Sequence, residues 1–119
     1  MYSEHFIIPS GFDLIDGIKV IAKNYNNRGF ISSSVGNLSK AVFKCPTKTK
    51  PVIHSGELEL ITLNGFFSNS NIHLHLSFSD SSSKVYAGHL LQGTIVFNEV
   101  NLLVSFIETN PITLPSLKV

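Results

Sequence analysis

Three of the chain's five histidines fall within residues 72–90, IHLHLSFSDSSSKVYAGHL: His73, His75 and His89. Neutral imidazole is the commonest side-chain metal ligand. Three such nitrogens form the donor set with which zinc keeps a fourth position open for water or substrate. The spacing suits that chemistry. Strand side chains alternate between faces, so His73 and His75 share one face and Leu74 and Leu76 share the other. SDSSSK is a turn cluster that joins two strands into a hairpin. With a loop over residues 80–84, Ser79 pairs with Val85, and His75 stands opposite His89 with Cβ atoms about 4.5–5.5 Å apart. A loop of odd length puts His89 on the face of His73 and His75 and one of even length puts it on the opposite face; Gly88 beside it leaves room for close approach. The competing reading is three half-buried strand histidines hydrogen-bonded to carbonyls or to one another. Clustered imidazoles repel when protonated, which favours a bound ligand. Zinc is the first choice of ion, with His73, His75 and His89 as its ligands.

The elements that must hold these residues are short. HFIIP reads as a first strand ended by Pro9. The period then changes: Leu14, Ile18, Ile21, Ala22 and Tyr25 recur at three- and four-residue steps, the stripe of an amphipathic helix. Ser10 and Asp13 supply a capping signal, and Asn26-Asn27 with Gly29 a stop. Gly17 is a poor helix former in the middle of it. Beyond this point GFISSSVGN, LSKAVFKC, PVIHS, ELELITLNG, NIHLHLSFS, KVYAGHLLQG and TIVFNEVNLLVSFIE are strand-like runs punctuated by Gly, Asn, Ser and Pro. Strands so close in sequence pair antiparallel. The predicted fold class is α+β: one antiparallel sheet with one main helix near the N-terminus.

Composition narrows the function. At 119 residues the chain reads as a single domain over 1–119. Charged residues make up 14%, against roughly 25% in an average soluble domain, so part of the apolar surface is expected to end in a subunit interface. Net charge is +1 and Arg28 is the single arginine, poor equipment for gripping phosphates, so direct DNA binding is not expected. One cysteine, Cys45, cannot form an intrachain disulfide, which suits a reducing compartment. MYSEHFIIPSG lacks the basic start and long apolar run of a signal peptide. Runs such as LLVSFI fall far short of the ~20 residues that span a bilayer. A cytoplasmic protein without membrane contact is expected.

Other chemistry-bearing residues have plainer readings. Lys44, Lys48 and Lys50 in KCPTKTK read as a solvated loop, since lysines without arginine or aromatics read no bases. Glu57 and Glu59 share a strand face and could be an acid/base pair, but read better as solvent-facing edge charges. Cys45 has no evident activating partner and is taken as structural. His5 and His54 are read as ordinary polar contacts. The chain contains no GxSxG elbow, P-loop or GxGxxG.

IHLHLSFSDSSSKVYAGHLLQGTIVFNEVNLLV resembles the signature of the plants-and-prokaryotes conserved domain, known as PPC or PCC: H-x-H, a short loop, G-G-H-L, then a Gly and a later Glu-Val. ISSSVGNLSKAVF, GELELITLNG and PSGFDL are similar to that family's Ser-x-x-Gly-x-Leu, Leu-Glu-Ile-x-x-Leu-x-Gly and Gly-Glu-Asp-Leu segments, in the same order. The resemblance places the domain core at about residues 5–108, with 109–119 as an irregular tail. The sequence departs from the pattern at Ile7, Phe12 and Ala87, and Glu57 stands where the plant partner-docking segment has Arg. There is no AT-hook.

The resemblance implies a compact α+β domain that assembles as a homotrimer. It also implies a fold similar to that of α-acetolactate decarboxylase, whose metal is held by a comparable His-x-His and a later His. By that likeness His73, His75 and His89 are again the ligands, and Glu99 is a weaker candidate for a nearby catalytic carboxylate. Two readings of function follow. One is a homotrimeric binding or regulatory module whose metal site is structural or senses a small-molecule ligand. The other is a metal-dependent lyase or hydrolase, in which the open position activates water or polarises a carbonyl. A DNA-associated regulatory role follows only from the family's label.

Overall fold

Asp13 begins the one helix among the described residues. In the computed structural model, which describes residues 1–115, its carboxylate accepts from the backbone N–H of Ile15 at 2.8 Å and of Asp16 at 3.2 Å. Those are donors the first turn would otherwise leave open. The same side chain accepts from Gly93 N–H at 2.6 Å, tying the helix start to the turn before the last strand. Helix α1 runs Leu14–Asn24 and buries Leu14, Ile15, Gly17, Ile18 and Ile21. Each large side chain of that set contributes about 1.5–3 kcal/mol by leaving water. Gly17 has a packing reason: a Cβ there would lie 2.8 Å from the Ile8 side chain, so its absence lets the helix settle onto the first strand.

The strands are β1 Tyr2–Pro9, β2 Gly29–Lys44, β3 Val52–Phe67, β4 Ile72–Ser79, β5 Val85–Leu90 and β6 Ile95–Phe106. They form one antiparallel sheet in the order β1-β6-β2-β3-β4-β5. The chain thus has the predicted helix and antiparallel pairing, but sheet dominates it. Several predicted strands prove to be continuous. GFISSSVGN and LSKAVFKC are one strand, as are PVIHS and ELELITLNG, because Gly36 pairs with Leu60 instead of turning, and Gly56 falls in a bulge between the Leu38–Leu58 and Lys40–Ser55 pairs. At Gly36 (φ 157°) the strand passes against the Glu99 carbonyl and Val100 of β6, where a side chain has no space.

Long β2 also makes a second contact. Its last residues pair with β5, Phe43 with Leu90 and Lys44 with His89, so β2, β3, β4 and β5 close on themselves at that end. Thr94 secures the closure. It is fully buried, and its hydroxyl accepts from Val42 N–H at 3.0 Å and reaches the carbonyls of Val42 and Leu91, each at 3.1 Å.

The core lies between α1 and one sheet face and includes Leu38, Phe43, Leu63, Phe67, Leu76, Phe78, Val100, Leu102 and Phe106. The opposite face exposes Phe30, Ile61, Phe97 and Leu103, each flanked in sequence by a buried neighbour such as Ile31, Leu60, Val96 or Leu102. Residues 107–113 carry no helix or strand and 114–115 form a turn; the rest of the expected irregular tail, 116–119, lies outside the described residues. Among the described residues, no helix is long and apolar enough to cross a membrane.

Candidate metal centre

The hairpin of β4 and β5 is fixed by its turn. Asp80 accepts from the backbone N–H of Ser82 at 2.9 Å and of Lys84 at 3.0 Å, while its other carboxylate oxygen accepts from Tyr86 OH at 3.2 Å. These donors, the Lys84 N–H foremost, hold the Asp80 carboxyl below its ordinary value of 3.8. Ser83 takes up the left-handed backbone that closes the loop, with φ 64°. The loop is the odd-length one, residues 80–84, of the two cases the sequence leaves open. Ser79 pairs with Val85, and from there His75 falls opposite His89.

The three histidines converge. Their ligand-capable nitrogens all lie within 4.8 Å of one another. Ring centroids are 5.2 Å apart for His73 and His75, 5.0 Å for His73 and His89, and 5.1 Å for His75 and His89. His73 and His75 are exposed and His89 is half-buried, so the cluster opens to solvent. A tetrahedral ion with bonds of about 2.0–2.1 Å would hold these nitrogens closer, about 3.4 Å apart. Small side-chain rotations cover that difference. A donor set of three imidazoles in an open arrangement fits zinc better than hard, oxygen-seeking calcium or magnesium.

Glu99 is not brought into this cluster. It sits on β6 opposite Pro9, accepts from the Asn101 side-chain amide at 3.0 Å, and lines a separate cleft of about 790 Å³ with Glu57, Glu59 and Asp80. Glu57 and Glu59 are exposed as expected, although β3 is an interior strand and not an edge. The neighbours the histidines do have were not predicted as such. Across the register Lys44 faces His89, Asn64 faces His75 and Phe66 faces His73. Lys44 is the half-buried end of β2, not part of a solvated loop; Lys48 and Lys50 are exposed beyond it. No local pattern marks Lys44, because its partner strand lies far along the chain.

The remaining expected residues fall outside the site. Cys45 is partly buried, its thiol 3.9 Å from the Ala87 carbonyl. His5 meets the Asn101 side chain at 2.7 Å. His54 makes an aromatic contact in place of the polar one expected, its ring centroid 4.0 Å from that of Tyr86 and 5.9 Å from that of Phe78.

Known proteins share both the sequence and the fold. The chain is 30% identical over 77 residues to the bifunctional protein GlmU of two Synechococcus strains; the match takes in 65% of this chain and 12% of theirs, so it corresponds to a small part of those proteins. Among solved structures, a hypothetical protein of Salmonella enterica superposes with TM-score 0.85 at 20% identity, over 89% of this chain and 78% of that one. A plant- and prokaryote-conserved protein of Pyrococcus horikoshii gives 0.72 at 24% identity, over 92% and 81%. A metal-containing protein of Archaeoglobus fulgidus gives 0.68 at 21%, over 89% and 80%. The sequence pattern of one family matches residues 5–108, and the chain belongs to it: the Plants and Prokaryotes Conserved (PCC) domain family.

Proposed function

We propose that this PCC-domain chain is a homotrimeric binding or regulatory module in which His73, His75 and His89 hold one divalent ion, zinc in first place. The observation that carries the reading is the convergence of three ligand-capable nitrogens within 4.8 Å on an open face. The fold shared with the metal-containing Archaeoglobus fulgidus protein supports it. His73, His75 and His89 would fix the ion, which would supply Lewis acidity at the position left open to solvent. The module is favoured over a lyase or hydrolase because Glu99, the acid/base candidate, lines a different cleft. Assembly rests on the apolar face that carries Phe30, Ile61, Phe97 and Leu103, at 46%, 45%, 43% and 42% exposure. Covering such surface stabilises an oligomer by about 25 cal/mol per Å².

Elemental analysis of the purified chain tests the site. About one zinc per protomer supports the reading; well under one, unchanged after adding zinc, leaves three strand histidines and no metal centre.

A further inference from the structure

A divalent ion on three neutral imidazoles keeps its full charge. Among the described residues no carboxylate joins the three histidines to balance it: Glu57, Glu59 and Glu99 line the other cleft, and Asp80 is engaged by its turn. What the fold does bring to the site is a cation. The register pairs Lys44 with His89, His89 with His75, and His75 with Asn64, a row of four residues across four strands on one face. Neighbours in such a row have Cβ atoms about 4.5–5.5 Å apart, a separation that the four-carbon stem of lysine spans. Lys44 is half-buried, and among the described residues no carboxylate forms an ion pair with it.

An ammonium beside a metal ion is repelled by it unless an anion lies between them. We infer that the open position is built for a small carboxylate: one oxygen on the metal, the other accepting a charge-assisted hydrogen bond from Lys44. Asn64, on the far flank of the row, offers a neutral amide to the rest of such a ligand. This inference rests on the metal reading above and adds the ligand class to it. A neutral ligand would meet the metal alone and gain nothing from Lys44.

The test uses the full chain loaded with cobalt(II), whose visible spectrum reports its coordination. Acetate and acetamide are titrated into the wild type, Lys44→Met and Lys44→Gln in chloride-free buffer. Met keeps the length of the stem and Gln keeps a polar end, so two chemically different replacements report on the same charge. Wild type should bind acetate about tenfold more tightly than either variant, the worth of one charge-assisted hydrogen bond, while acetamide binds all three alike. Lys44→Arg should recover most of the acetate affinity. Full cobalt uptake with equal acetate affinities overturns the role of Lys44 and leaves the metal centre standing. Failure of the wild type to take up cobalt overturns both.

Discussion

Gly65 on β3 lies so close to the carbonyl of His73 on β4 that a Cβ added there would collide with that oxygen. Its φ of 143° is one that side-chain-bearing residues rarely adopt. The backbone of a candidate ligand thus rests against a residue with no side chain. Gly65→Ala should destabilise the fold by about 2–4 kcal/mol and displace His73. Denaturant unfolding of the metal-free protein measures the first effect. Metal content measured on the folded fraction, lowered relative to wild type, shows the second.

Loss of one ligand separates a metal site from a folding requirement. His75 is exposed and lies, ring to ring, 5.2 Å from His73 and 5.1 Å from His89, so His75→Ala should lose most of the bound zinc while the fold persists. Light scattering of that variant should still return about three times the 13.1 kDa chain mass, and a mass near that of one chain would reject the trimer. Because only neutral imidazole binds, protons compete with the ion, and acidification should release zinc from the wild type.

The Asp80 turn makes a pH-dependent contribution of known sign. Its carboxyl is held below the ordinary 3.8, so the folded state favours the charged form. That stability is fully present above 3.8 and is lost as pH falls through the lower folded-state value. Asp80→Ala should therefore lower the melting temperature at neutral pH, and the gap from wild type should narrow in acid below 3.8. A gap that stays constant across that range would refute the charge argument.

Thr94 holds β2 to the segment between β5 and β6 from a fully buried position. Thr94→Val keeps the shape but leaves Val42 N–H without its partner, a cost of about 1–3 kcal/mol. Thermal or denaturant unfolding reads that loss directly.

With net charge +1 and a single arginine, the isolated chain should hold duplex DNA only in the loose non-specific range, about 10⁻⁴ M or weaker at physiological salt. A sequence-dependent gel shift at nanomolar protein would contradict this.

The hairpin was legible because everything that sets it is local. Alternation placed His73 and His75 on one face, and the turn residues from Asp80 to Lys84 set the register to His89. The helix start was legible for the same reason, although the cap is Asp13 itself and not Ser10, three residues earlier. What stayed hidden depends on contacts distant in sequence. Gly36 looks like a strand end until β6 is seen lying against it. Lys44 looks like one of three loop lysines until the end of β2 is found on β5. Glu99 looks available to the histidines because nothing local shows that β6 lies beside β1 and β2 and brings Glu99 to the turn end of the hairpin, into the cleft with Asp80 instead of the histidine cluster.

The locality of the hairpin has a thermodynamic consequence. All three candidate ligands fall between residues 73 and 89, so an ion can gather them by closing only a short loop of otherwise unfolded chain. If the site binds zinc, the denatured state should therefore retain some affinity for it. Ligand binding stabilises a fold only to the extent that the native state binds better, so zinc should raise the unfolding free energy by less than its affinity for the folded protein implies.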